Sequence, residues 1–440
     1  MGMLLSRRTA LQMAFAGKKA EPRGSADCVI FLNLQGGPPQ MDTWDVKEGK
    51  WAPENRDVIT VKQGYQFPRA LMPKMIERLD DVLMVRSMEA WETVHSRGQY
   101  YLQTGHAVSP ARVKESPAMG SVIAYEAAKT RKESDYLPPF VSMNYEASTM
   151  YGPLIREGCL PADASPLTLD LATGSLPFLL EDSEKERFAK RWAALMDMDA
   201  ARNGLKADSP QEMRQFASFA RAVEKMMRNP QVKQVLAMKP EEKLAYGGTP
   251  FGDACLLARN MAAAKAGAKF IMVTQPGWDL HGNLYGKDLG KSATGGVYKL
   301  AKDLDAAMSA LLFDLKRMGL LDRTLVIAMG EFGRTPGELT SLAGREHYAK
   351  AMVAAFAGAG VKGGRVMGST DAEAANVTDF GWKKKRPIYV EDVCATVYSV
   401  LGIDANSRIR NTPSGRDFVY VDPAAGTRVI DFGEVSEFFA

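Results

Sequence analysis

Residues 303–333 read DLDAAMSALLFDLKRMGLLDRTLVIAMGEFG, and their order of apolar spacing, stop and apolar run decides the fold class. Starting from Val297, apolar residues recur at Leu300, Leu304, Met308, Leu311, Leu315 and Met318. That spacing of three and four places them on one face of a long helix. Gly319 supplies the left-handed conformation that commonly ends helices. Thr324–Ala328 (TLVIA) is then a short apolar run without alternation, as in a parallel strand covered on both faces. A long helix feeding such a strand predicts a layered α/β domain.

The same pattern extends in both directions. Cys28–Leu34 (CVIFLNL) is a buried-strand run bounded by Gly36, Gly37, Pro38 and Pro39. Lys269–Thr274 (KFIMVT) is a second, preceded by a helical stretch from Asp253 to Ala266 and closed by Pro276-Gly277. Val82–Val85 and Ala351–Ala357 are further strand candidates, and Val390–Leu401 a further helix. Ser183–Lys243 is charged, methionine-rich and nearly free of glycine, with helical apolar spacing, and reads as a helical insertion or lid. The expectation is a three-layer α/β sandwich over residues 27–440 with a mostly parallel central sheet, interrupted at 183–243 and preceded by a signal-like segment at 1–26.

Composition narrows the partners. Hydrophobic content of 46% and charged content of 25% are those of a globular protein. The 56 basic residues nearly balance 52 acidic ones, and no basic stripe stands out, so nucleic acid is not an expected partner. The run Lys383–Arg386 reads as a solvated loop. Cys28, Cys159, Cys255 and Cys394 form no C-x-x-C pair, and no apolar run reaches the ~18–20 residues of a membrane span. Ser6-Arg7-Arg8-Thr9-Ala10-Leu11 resembles a twin-arginine export signal, although the apolar stretch behind it is short and meets Lys18-Lys19 at once. It predicts a periplasmic or envelope location by a truncated signal, with a cytoplasmic one as the alternative.

The chemistry gathers in loops that follow strands, where open α/β sheets bind ligands. Asp279 and His281 stand two apart directly after KFIMVT, on one side of an extended segment. Glu331 and Arg334 follow TLVIA in GEFGR, and His347 lies in GREHY. His95 and His106 bracket HSRGQYYLQTGH. All four histidines of the chain are expected to converge, with these carboxylates, on one metal-binding or hydrolytic site. Mixed imidazole and carboxylate donors favour zinc or manganese over calcium or magnesium. Arg334 is placed to clamp an oxyanion. Gly358–Gly363 matches G-x-G-x-x-G but lacks a following helical pattern, and no P-loop, H-E-x-x-H or G-x-S-x-G is present.

Asp303–Gly333 and the helix Val390–Ile403 resemble segments of the alkaline phosphatase and sulfatase superfamily, and HSRGQYYLQTGH is similar to the sulfatase nucleophile segment. More closely, the chain resembles the bacterial family called domain of unknown function 1501. The shared motifs are Gly36-Gly37-Pro38 with Asp42, Trp278-Asp279-Leu280-His281-Gly282, Gly330–Pro336 and the twin-arginine start. The resemblance implies an alkaline-phosphatase-like fold and hydrolysis of a small anionic ester. Registered on the nucleophile segment, His95 takes the nucleophile position with Ser96 beside it. The resemblance further implies Glu331 and Asp42 as ligands of a second ion, and Gln35, Arg97 and His106 as substrate contacts. Two departures stand out: the first strand ends Asn33-Leu34-Gln35 without a carboxylate, and Glu331-Phe332 replaces the superfamily's Asp-His. The leading expectation is therefore a metal-dependent phosphate or sulfate ester hydrolase attacked by water or Ser96. Its rivals are a degenerate envelope binding or assembly protein and a phosphomutase-like transferase. The sequence leaves oligomeric state open.

Overall fold

Cys28–Leu34 (β1) is buried at all seven positions because both of its faces are covered. The computed structural model of the chain describes residues 21–173, 182–203, 224, 226–227, 229–286, 296–410, 412–425 and 428–440. In chain order the other strands of the main sheet are Val82–Met88 (β2), Phe140–Met143 (β3), Leu167–Leu169 (β4), Phe270–Gln275 (β5), Thr324–Met329 (β6), Met352–Ala357 (β7) and Arg365–Met367 (β8). They form an eight-stranded sheet in the order β8-β2-β7-β6-β1-β5-β3-β4. All run parallel to β1 except β7, which is antiparallel to both β2 and β6.

Alternation along the strands divides the core into two layers. Ile30, Leu32, Ile271, Val273, Val326 and Ala328 face the helices Pro250–Ala264 and Gly296–Arg317. Val29, Phe31, Phe270, Met272, Leu325 and Ile327 face His95–Thr104 (α1), Met119–Ala128 and Val390–Val400. The expected three-layer α/β sandwich is the observed one. Pro250–Ala264 starts where Thr249 accepts a hydrogen bond from the Gly252 N–H and Pro250 takes a first-turn place needing no donor.

The long central runs match their expected spans to within a residue or two, whereas β3, β4 and β8 carried no usable signal. With three or four residues each, they are too short to display a period. Ala351–Ala357 forms its strand, but in the direction opposite to the rest. Gly358–Gly363 leads into β8 rather than a helix, which removes the dinucleotide reading. The basic run also departs from expectation: Arg386 is drawn inward by Asp392 at 2.7 Å and packs over Trp382. Asp182–Asn203 is helical, but much of the remaining expected insertion, like the export segment at residues 1–20, lies outside the described residues. Among the described residues no helix is long and apolar enough to cross a membrane.

Candidate metal centre

Sheet direction brings the donors together. Parallel β5 and β6 end on the same edge at which antiparallel β7 begins, and β2 leads there into α1. His95 is the first residue of α1, and Asp279 and His281 lie in the loop after β5. His347 belongs to a short antiparallel ribbon in which His347 pairs with Arg334. One donor atom from each of His95, Asp279, His281 and His347 lies within 4.8 Å of all the others. Asp279 Oδ1 stands 3.0 Å from His95 Nε2, 2.8 Å from His281 Nε2 and 3.3 Å from His347 Nε2. The Nε2 atoms of His281 and His347 are 3.0 Å apart.

The far side of each ring fixes its proton. His95 Nδ1 meets Glu331 Oε1 at 2.7 Å, His281 Nδ1 meets Glu346 Oε2 at 2.9 Å, and His347 Nδ1 meets the Thr93 carbonyl at 2.6 Å. Each partner accepts only, so each Nδ1 donates and each neutral ring turns its Nε2 lone pair toward the common centre. His95 Nε2 is buried without a hydrogen-bond partner although a carboxylate oxygen stands 3.0 Å away. Lone pairs crowded against a carboxylate repel unless a cation lies between them. Donors about 2.1 Å from a tetrahedral ion stand about 3.4 Å apart, close to the spacings here. The residues fit a divalent ion.

Electrostatics agree with an anionic aspartate. Burial pushes the Asp279 carboxyl up, but the His347, His95 and Arg334 contacts together hold it far below the usual carboxylate range. Burial disfavours charge on His95, yet the neighbouring carboxylates of Asp279 and Glu331 outweigh it and raise its pKa, so the pocket favours positive charge. Two glycines allow the close approach of the loops. A Cβ on Gly36, at φ +113°, would lie 2.4 Å from the Asp279 nitrogen, and one on Gly344 would lie 2.0 Å from the His281 carbonyl carbon.

Several expected site residues take other places. Glu331 is fully buried and accepts from the Gly36 N–H, Gln99 Nε2 at 2.9 Å and His95 Nδ1, which places it behind the His95 ring, on the side away from Nε2. Arg334 is 1% exposed, and its guanidinium is spent on Asp279 Oδ1 at 2.6 Å and on the carbonyls of Gly36, Gly37 and Arg345. Four of its five N–H groups are thus held inside the protein. Asp42 is buried against Arg56 at 2.9 Å and Tyr285 at 2.6 Å and is not among the clustered donors. The Gln35 amide bonds the Glu146 backbone at 3.0 and 3.3 Å. Arg97 is exposed and paired with Glu92 at 2.8 Å. Ser96 packs its Cβ beneath Gly152.

His106 does not join the other histidines. It lies beyond the opposite end of α1, its ring against Phe418 and its Nε2 3.2 Å from the Tyr420 carbonyl. Convergence therefore holds for three histidines, because the helix separates its two ends by roughly 1.5 Å per residue. Sequence reasoning also passed over Gln99, Glu346, Thr93 and Tyr151, whose ring meets His95 edge-on at 5.0 Å. Gln99 was findable, since it lies four residues after His95 on the same helical face.

Comparison with solved structures gives similarity over most of the chain at low identity. The PsFucS1 sulfatase from Pseudoalteromonas sp. is 13% identical, with 89% of this chain and 70% of that chain covered and a TM-score of 0.40. The lipoteichoic acid synthase LtaP from Listeria monocytogenes is 9% identical, with coverage of 90% and 78% and a TM-score of 0.41. The phosphonate monoester hydrolase SpPMH from Silicibacter pomeroyi is 14% identical, with coverage of 88% and 75% and a TM-score of 0.39. No curated protein matches the chain. Residues 26–431 match a family described as protein of unknown function (DUF1501).

Proposed function

The chain belongs to the DUF1501 family, and from that premise we propose that it is a metal-dependent hydrolase of phosphate or sulfate esters. The observation that carries the reading is the donor set itself: three imidazoles with anchored Nδ1 atoms turn their Nε2 atoms, with Asp279 Oδ1, toward one point. A divalent ion, zinc or manganese by donor type, supplies Lewis acidity and lowers the pKa of water to about 7 when bound. His95, Asp279, His281 and His347 would hold it. Glu331 keeps His95 in the ligating tautomer, and Arg334 fixes Asp279 in place. His281 and His347 are the more open donors, with side chains 36% and 22% exposed against 3% for His95, so substrate approaches on their side. Water is the attacking group in this reading, since His95 serves as a donor at the position the resemblance gives to the nucleophile. The twin-arginine start adds export to the envelope as part of the proposal.

Elemental analysis of the purified protein, joined to a panel of phosphate, sulfate and phosphonate esters, tests it. The expected result is one zinc or manganese per chain, lost in His281→Ala and His347→Ala together with ester turnover. A protein free of metal after growth and dialysis with both ions would overturn the reading. A second reading, an envelope binding protein with a structural ion, draws support from the internal ion pairs that occupy Arg334 and Asp42. Stoichiometric metal without turnover on any ester would favour it.

A further inference from the structure

At the carboxyl ends of β3, β4 and β5 the surface opens into a cleft of about 810 Å³, within the range of small-molecule sites. Its lining touches residues that adjoin the donor cluster. Tyr145 lines it, and the Tyr145 hydroxyl lies 3.3 Å from the carbonyl of Tyr151, the residue packed on His95. On the opposite wall Leu300 lies against Gly277, two residues before Asp279, where a Cβ would meet its Cδ2 at 3.5 Å. An anionic ester head held by the donor cluster would leave this cleft for the organic group.

The polar groups around this cleft are largely spent on the fold. The Asn144 amide bonds the Pro250 carbonyl and the Leu171 N–H, each at 2.8 Å. Gln275 donates to the Leu300 carbonyl at 2.9 Å and accepts from Trp278 Nε1 at 3.1 Å. The Ser142 and Thr274 hydroxyl oxygens are sealed from solvent and have no partner, so they offer no accessible polar surface. Lys299 and Asp303, one helical turn apart, attract each other. The surface left to meet a ligand is mainly the apolar wall of Tyr145, Leu154, Phe251 and Leu300, with Glu146, Arg156 and Asp170 also in the lining.

We propose that this cleft receives the organic group of the ester and that this group is an apolar chain of several carbons. The inference rests on the ester-hydrolase reading, and the test separates the two. Methyl, butyl and octyl phosphate are titrated calorimetrically into metal-loaded and EDTA-stripped protein. Affinity should rise about fourfold per methylene from methyl to butyl, as burial of CH₂ groups dictates. The slope should persist after EDTA treatment, with all affinities lowered. Ala147→Trp, at an exposed position on the cleft, should flatten the slope while methyl phosphate binding stays within twofold. Leu154→Asn, an independent polar replacement, should do the same. An affinity that does not change with chain length, or a slope untouched by both variants, overturns the proposal. Turnover of esters with a flat slope would end the cleft assignment and leave the hydrolase reading intact. A slope lost in both variants, without turnover of any ester, would support the cleft assignment and end the hydrolase reading.

Discussion

Replacing Glu331 by glutamine tests whether the buried carboxylate orients a donor or is one. Its two oxygens accept from the Gly36 N–H at 3.0 and 3.1 Å, from Gln99 Nε2 at 2.9 Å and from His95 Nδ1 at 2.7 Å. Glutamine keeps the shape but turns one acceptor into a donor. If its oxygen faces His95, its NH₂ confronts the donors of Gln99 and Gly36. If it flips, His95 is pressed into the tautomer that protonates Nε2 and closes that ring to the metal. Either choice strands a buried donor at a cost of about 1–3 kcal/mol, which corresponds to the 10- to 100-fold loss of metal affinity typical of such outer partners. Competition against a chromophoric chelator, read as zinc Kd at pH 7.5, measures it. An affinity within threefold of the parent would refute the orienting role. Loss as complete as in His281→Ala would refute it in the other direction, by making Glu331 a direct ligand.

Arg334→Lys should destabilise the protein by about 3–5 kcal/mol, the usual result of breaking a buried charge pair, read as a lower denaturant midpoint; an unchanged midpoint would contradict its internal role. Asp42→Asn should likewise lower the midpoint and leave one metal per chain, whereas lost metal would restore the second-ion assignment. His106→Gln should leave metal content unchanged by elemental analysis. Burial pushes the Glu391 carboxyl up to about 8, so between about pH 4.5 and 8 the folded state keeps a proton that the unfolded state releases. Stability then falls as pH rises through that window, by at most about 1.4 kcal/mol per pH unit from this group. Glu391→Gln should shrink the loss of Tm between pH 5 and pH 8, and an unaltered difference would remove Glu391 as its source.

Central strands and long helices were legible in the sequence because burial on both faces writes a continuous apolar run, as in β1, β5 and β6. The edge elements β4 and β8 were not, since half-exposed three-residue strands impose no pattern. The meeting of Asp279 and His281, where a glycine-flanked loop follows a strand, with His347 was legible. The burial and partners of Glu331 and Arg334 were not legible. A carboxylate beside a histidine reads the same whether it faces the ion or the ring behind it, and only burial and hydrogen-bond direction separate the two. His106 misled because proximity in sequence along a helix is distance in space.

The antiparallel course of β7 carries a further consequence. His347 reaches the edge ahead of its strand, while Asp279 and His281 arrive behind theirs and His95 enters from a helix beyond β2. No contiguous fragment of the chain assembles the four donors, so an ion captured there is captured by the finished architecture alone. At a thousandfold excess over its Kd such an ion would add about 4 kcal/mol to folding, which makes metal loading an inspection stamp that only a correctly closed molecule can receive.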